Sequence, residues 1–223
     1  MAQKHHRSET WENEPLSGNL MQYLEGHGAE DRVRAYYLGS DQEQPFTGGQ
    51  FELFAGGGDR RETEDTFTPD DIVAVSLLSV RIRGDAALAI LDPKSGHNEL
   101  LAKIPKNTTL WDAEVKSVND DKSDAAKLWY RLEKIKGVGW VTANKLLARK
   151  RPQLIPVYDK VVKAALQPGR SEFWLPLRNS LLADNEQALK RLREIKANVG
   201  LNDDYSLLRV MDVAVWMTSR WDL

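Results

Sequence analysis

The residues best suited to binding or catalysis lie in one stretch, from Lys134 to Lys163. Its one acid is Asp159, and eight of its residues are basic, so the stretch carries a charge of +7 in a chain whose net charge is −2. Such a concentration of positive charge indicates an anionic partner. The eight basic residues are Lys134, Lys136, Lys145, Arg149, Lys150, Arg151, Lys160 and Lys163.

Two glycines flank a single apolar residue near the start of this stretch, in Gly137-Val138-Gly139. Glycine permits a tight backbone turn, so we predict a hairpin with Val138 packed between a helix that ends near Ile135 and a helix that begins near Thr142. The free amides at the start of the second helix carry partial positive charge and suit a phosphate. Because Gly-x-Gly alone is a weak signal, an ordinary tight turn between packed helices is the alternative.

The second helix continues with Thr142-Ala143-Asn144-Lys145-Leu146-Leu147, whose small residues permit close helix approach and whose two leucines would seal the hairpin. Together with the glycines, this segment resembles the helix-hairpin-helix motif, which holds a DNA backbone without reading the bases. The resemblance implies that double-stranded DNA is the partner, with salt-sensitive attraction from the basic strip that ends at Arg151. For Trp140, packing in the core is the alternative to contact with DNA. The predicted DNA-binding residues are Gly137, Val138, Gly139, Trp140, Thr142, Lys145, Arg149, Lys150 and Arg151.

A connector punctuated by prolines runs from Pro152 to Tyr158 and leads into a helix that begins at Asp159. The order of hairpin, connector and aspartate resembles the core of the helix-hairpin-helix DNA glycosylase superfamily over some thirty residues. The resemblance implies that Asp159 supports the departure of a flipped-out base, by stabilising a positively charged sugar or by activating water. An Asp before Lys-Val-Val also suits a helix N-cap, and that structural role is the alternative. The chain is also similar to a bacterial family of unknown function.

The chain departs from the glycosylase pattern around the catalytic residue. Family members that also cut the DNA strand carry a Lys two positions after the second glycine, where this chain has Val141, so Schiff-base lyase chemistry is not expected. Tyr158 stands where the family usually has Val, and Lys160-Val161 stands where Thr-His often follows. Tyr158 is a candidate for lining a base pocket, and a place in the core is the alternative.

Composition excludes several other kinds of site. The chain has no Cys, which excludes disulfides, thiolate zinc sites, iron-sulfur clusters and Cys nucleophiles, and we predict neither a metal nor a cofactor. A content of 41% hydrophobic and 29% charged residues is typical of a soluble globule. The sequence contains neither an 18-residue apolar run nor a secretory leader, so we expect a cytoplasmic protein without membrane contact. A monomer is favoured.

Helix signals recur along the chain, and few stretches alternate with the period of a strand. Thr68-Pro69-Asp70-Asp71 predicts a helix start before the apolar run from Ile72 to Val80. Ser123-Asp124 predicts another start, and further helices are predicted over 172–182, 187–197 and 205–217. The glycine-rich segment 45–59 is predicted to be a surface loop held by three phenylalanines, Phe46, Phe51 and Phe54, with a cofactor loop as the alternative.

These signals predict a mainly α fold, a helical bundle of two lobes that contains a helix-hairpin-helix motif and is DNA-glycosylase-like. Segment 1–64 is predicted to be partly irregular and to pack on a helical domain, 65–223, with the hairpin motif at about 124–150. The predicted function is that of a DNA repair hydrolase, a monofunctional DNA N-glycosylase that excises a damaged or modified base. The alternatives are a non-catalytic helix-hairpin-helix DNA-binding protein and a helical protein-interaction module.

Overall fold

The structure, a computed structural model, describes residues 15–16, 18–26, 28–40, 43–118, 122–168 and 173–221. Within these ranges the fold is helical, with no β-strand, which confirms the prediction of a mainly α protein. None of the helices described is long and apolar enough to cross a lipid bilayer. The helices are α1 (Met21–Glu25), α2 (Ala29–Leu38), α3 (Pro69–Ser76), α4 (Gly84–Leu91), α5 (His97–Leu101), α6 (Val115–Val118), α7 (Asp124–Glu133), α8 (Trp140–Lys150), α9 (Lys160–Leu166), α10 (Trp174–Val199) and α11 (Leu207–Trp221).

Helix α11 is a central element of the core. Most of its side chains are buried, including Val210, Met211, Val213 and Ala214, each with no measurable exposure. Helices α1, α2, α9 and α10 pack against it, so the N-terminal segment contributes two helices to the core. Helix α10 is interrupted at 183–186, where three successive residues have positive φ, and its two halves correspond to the two helices that the sequence predicts there.

Helix α3 begins as its sequence predicts and ends earlier. The Thr68 side chain and the Asp71 side chain cap each other's backbone amides, and Pro69 occupies the first turn. The helix ends at Ser76, whose hydroxyl donates to the Val73 carbonyl, and Ser79 has a φ of 59°, outside the α-helical region. The apolar residues up to Val80 therefore form an irregular segment that follows the helix.

Helices α7 and α8 pack against each other and are joined by a short turn. The Ser123 hydroxyl accepts from the Ala126 amide, so the predicted cap of α7 is present. In the turn, Gly137 has a φ of 88°, a conformation that glycine adopts without strain. Val138 is 3% exposed, and Gly139 stands at the N-cap position of α8. The turn thus places one apolar side chain inside and leaves both glycines on the surface.

Candidate functional site

A cavity of about 520 Å³ opens among α2, α8, α11, the segment after α3 and the start of α9. Aromatic rings form part of its wall, from Tyr36, Phe46 and Trp216. Tyr36 and Phe46 are stacked with their ring centroids 5.1 Å apart, and the Trp216 ring meets Phe46 edge-on at 5.7 Å. Polar and charged groups line the same cavity: Thr142, Lys145, Asp159, Lys160, Arg209, Asp212 and Arg81.

The two carboxylate oxygens of Asp159 have different partners. Oδ1 accepts from the backbone amides of Val161 and Val162 at 3.0 and 3.1 Å, which caps α9. Oδ2 lies 3.6 Å from the Lys145 Nζ, and the residue lines the cavity. The predicted capping role is therefore present, and it uses only one of the two carboxylate oxygens.

Lys145 is a wall of the cavity and is buried, with 5% exposure. Its Nζ donates to the Leu78 carbonyl at 3.2 Å in addition to its ion pair with Asp159. Burial lowers the pKa of Lys145, and the negative charge of Asp159 acts in the opposite direction. Val141 and Thr142 also line the cavity. They lie on the same face of α8 as Lys145, because residues three and four positions apart are neighbours on a helix.

The basic strip after Lys145 is buried rather than exposed. Arg149 and Lys150 are 1% and 0% exposed, and both bind the buried carboxylate of Asp71 at 3.2 Å. Burial lowers the pKa of both groups, and Asp71 opposes that shift. Their remaining N–H groups donate to backbone carbonyls of Phe51, Glu52, Phe54 and Thr63.

Arg151 is also internal, at 4% exposure. Its guanidinium pairs with Asp65 at 2.8 Å and donates to the carbonyls of Leu101 and Ile104. The prediction that these three side chains bind DNA is corrected by this arrangement, since cations that are paired and hydrogen-bonded inside a protein are unavailable to a DNA phosphate. Two acids of segment 59–71, Asp65 and Asp71, are the ion-pair partners of these three cations.

The remaining predicted residues lie beside the cavity. Trp140 is half-buried, with its ring 5.3 Å from that of Tyr158 and with the Lys163 Nζ 5.5 Å above it. Tyr158 is stacked on Phe173 at 3.8 Å and is absent from the cavity lining, which favours the alternative of a core aromatic. The Asn144 side chain accepts from the Tyr158 amide at 2.7 Å and so ties the connector to α8.

Sequence reasoning missed a buried ion pair on α11. Arg209 and Asp212 are 4% and 3% exposed and are joined by a salt bridge. Arg209 also donates to the Tyr36 hydroxyl and to the Gly48 carbonyl, and a Cβ at Gly48 would lie 2.0 Å from that hydroxyl. Two opposite charges three positions apart in the otherwise apolar stretch 207–217 are the signal that identifies such a pair, since unpaired charges are almost never buried.

Asp212 is a buried carboxyl group that lines the cavity. Burial, and to a smaller extent the charge of Asp159, raise its pKa to about 6, although Arg209 opposes the shift. Its Oδ1 is buried and meets no hydrogen-bond donor among the described residues, whereas Oδ2 accepts from Arg209. Behind the pair, burial raises the pKa of Glu52 to about 7, and this carboxyl accepts from Ser206.

The cavity therefore brings together two carboxyl groups, two primary amines, two guanidinium groups and three aromatic rings. A model of one protein family matches residues 29–219, which is most of the chain. No curated protein and no solved structure matches the chain. The extent of the family match assigns the sequence: the chain belongs to DUF6308, a family of unknown function.

Proposed function

We propose that the protein is a monofunctional DNA N-glycosylase, which flips a damaged or modified base into the cavity and hydrolyses its glycosidic bond with Asp159. The observation that carries the proposal is that the two oxygens of the Asp159 carboxylate have different partners. One oxygen is held by two amides of α9, so the carboxylate is fixed in place, and the residue lines a cavity large enough for a small ligand. A fixed carboxylate beside C1′ stabilises the positive charge that develops on the sugar.

The walls of the cavity suit a flat ring. Enzymes that act on a base extrude it from the duplex and stack it between aromatic or apolar side chains. Here Tyr36, Phe46 and Trp216 supply the aromatic surface, and Leu78 and Val157 supply apolar surface. Tyr36 is held in place by the hydrogen bond from Arg209, so the stacking surface is fixed before a base enters.

Exposed cations around the cavity supply the attraction to DNA in this proposal. Arg81 and Lys160 line the cavity and are exposed, and Lys163 lies over Trp140 at the start of α8. Lys134 and Lys136 are exposed next to the glycine turn, which serves as the hairpin of a helix-hairpin-helix motif. The phosphate contacts are thus assigned to the part of the basic stretch that is on the surface.

Charge reversal at Lys160 and Lys163 is expected to weaken binding to duplex DNA without unfolding the protein. Each lost phosphate contact makes the negative slope of log K against log salt shallower by about 1. The slope of the double variant Lys160→Glu/Lys163→Glu should therefore be shallower by about 2, and its affinity should fall by a similar factor for every DNA sequence. Fluorescence anisotropy at several salt concentrations measures both quantities. Lys190→Glu, an exposed position on α10 outside the cavity lining, is the matched control. Equal affinity of the double variant and the control would contradict the proposed interface.

Borohydride is expected to trap no covalent adduct between the protein and DNA. Position 141, where strand-cutting relatives carry Lys, is Val, and the nearby Lys145 amine is bound to Asp159 and the Leu78 carbonyl. A Schiff base needs a free amine within reach of C1′. The measurement is denaturing electrophoresis of labelled duplex after reduction, with Lys145→Met as the control. An adduct that forms in the wild type and disappears in Lys145→Met would show that the enzyme is bifunctional.

The experiment that tests the proposed function is a screen of the wild-type protein and Asp159→Asn on duplexes that each carry one damaged or modified base. Release of a base by the wild type, with loss of release in Asp159→Asn, is the expected result. Duplex binding without release of any base would indicate a non-catalytic DNA-binding protein. The absence of salt-dependent duplex binding would indicate a protein-interaction module.

A further inference from the structure

Asp212 is a second carboxyl group in the cavity, and nothing in the proposed role of Asp159 uses it. Its side chain is almost completely buried, and its Oδ1 atom meets no donor among the residues that the structure describes. A buried polar atom without a partner costs free energy, and in a cavity such an atom is positioned for a ligand. Oδ1 of Asp212 therefore has hydrogen-bonding capacity that the described residues do not use, in a residue that lines the cavity.

The two carboxyl groups have opposite surroundings. Two backbone amides, those of Val161 and Val162, donate to Asp159, and the Lys145 Nζ lies 3.6 Å from its other oxygen. Asp212 has one ionic partner, Arg209, which bonds to Oδ2, and burial disfavours its charged form. When two carboxyl groups of one site have environments that differ in this way, one serves as the carboxylate and the other as the acid.

The geometry also fixes which oxygen of Asp212 carries a proton. Oδ2 accepts from the Arg209 guanidinium, which has no lone pair to accept a proton in return. A proton on the carboxyl therefore resides on Oδ1, the atom that lacks a partner inside the described chain. Arg209 also donates to the Tyr36 hydroxyl and the Gly48 carbonyl. These bonds fix the guanidinium, which in turn fixes the orientation of the Asp212 carboxyl group.

From this geometry, and resting on the proposed glycosylase function, we propose that Asp212 is the general acid that protonates the departing base through Oδ1. The substrates are then uncharged bases, which leave as anions unless they receive a proton, rather than N-alkylated bases that are already cationic. As the bond between C1′ and the base nitrogen breaks, its electron pair goes to the base, and the Asp212 proton is transferred to a ring nitrogen or carbonyl oxygen of the base. Water adds through its oxygen to C1′, and its proton passes to Asp159.

The Asp212 carboxyl group is mainly protonated only below its pKa, and this fixes the direction in which the excision rate depends on pH. The rate of excision of an uncharged base is expected to fall as pH rises above the Asp212 pKa of about 6. The charged and titratable groups that act on Asp212 come from α2, α8, α11, the glycine-rich segment 45–59 and the N-cap of α9. They are Tyr36, Tyr37, Lys145, Arg209, Glu52 and Asp159.

The test is single-turnover excision at saturating protein by the wild type and Asp212→Asn. The probes are duplexes that contain uracil, hypoxanthine or 8-oxoguanine, which are uncharged bases, and a duplex that contains 7-methylguanine, which is cationic. Asn keeps the size of the side chain and an acceptor for Arg209 but has no acidic proton. We expect the wild type to release at least one uncharged base and the variant to lose about 100-fold or more of that rate, while it still binds the duplex. Asp203→Asn, a change of the same type at an exposed site, should keep the wild-type rate.

The outcomes separate this inference from the function on which it rests. Normal release of uncharged bases by Asp212→Asn, or release of 7-methylguanine alone by the wild type, overturns the role of Asp212 and leaves the glycosylase function standing. Release of no base by the wild type overturns both. If Asp212→Asn does not fold, the pH profile of the wild type decides, since a rate on an uncharged base that rises steadily from pH 5 to pH 9 excludes a carboxylic acid as proton donor.

Discussion

Asp159→Asn is expected to fold and to bind duplex DNA but to lose base excision by roughly 100- to 1,000-fold, the usual effect of removing one group that stabilises transition-state charge. Asn is as good an N-cap as Asp, so its side-chain oxygen can still accept from the amides of Val161 and Val162. What the substitution removes is the negative charge. Lys145 loses an ionic partner but keeps the Leu78 carbonyl as an acceptor.

A second substitution at the same position separates catalysis from capping. Asp159→Ala removes both the charge and the cap, so it should lose about 1 kcal/mol of stability in addition to the excision activity. Urea unfolding and single-turnover excision measured on both variants give the two effects independently. If Asp159→Asn excises as fast as the wild type, the carboxylate has no role in catalysis and only the capping role remains.

Features that depend on neighbours in the sequence could be predicted, because their partners lie within a few positions. The caps of α3 and α7 involve residues three apart, and the turn between α7 and α8 needs only the backbone freedom of Gly137 and a buried Val138. Apolar spacing likewise predicts the two halves of α10 and most of α11. The helical class of the fold follows from such local signals.

Which basic residues of the stretch 134–163 are buried could not be predicted in this way. Arg149 and Asp71 are 78 positions apart, and nothing local to either residue reveals that they meet. A run of basic residues is usually solvated, but Arg149, Lys150 and Arg151 are buried, and each binds acceptors that are distant in the sequence. Lys160 and Lys163 come from the same stretch and remain exposed, so charge alone did not distinguish the buried cations from the surface ones.

The second carboxyl of the site was missed for a related reason. Asp212 reaches the cavity only because α11 packs against α2 and α9, and that packing brings it near Asp159 and Lys145. The sequence identifies Asp159 through its place after the hairpin, whereas Asp212 has no motif around it. The proposed site is built from several helices, so any one segment of the sequence contains only part of it.

Asp71→Asn is expected to be among the most destabilising single changes in the protein, at about 3 to 5 kcal/mol in the free energy of unfolding, because it leaves two buried cations without their shared counter-ion. Oδ1 of Asp71 binds Arg149, and Oδ2 binds Lys150 and the Thr68 amide, with all three partners within 3.2 Å. Asn retains one acceptor oxygen but no charge. The side chain is 1% exposed, so water cannot replace the lost interaction.

The neighbouring residue supplies a matched control for this prediction. Asp70→Asn removes the same charge one position away, where the carboxylate pairs with Arg60 and is 43% exposed, so it should cost at most about 1 kcal/mol. Urea unfolding of the two variants gives the comparison, and equal losses would contradict the account of the buried network. Because Arg149 also holds the carbonyls of Phe51, Glu52 and Phe54, Asp71→Asn should loosen the segment that carries Phe46 and Gly48. Base excision should then fall along with stability, since that segment forms one wall of the cavity.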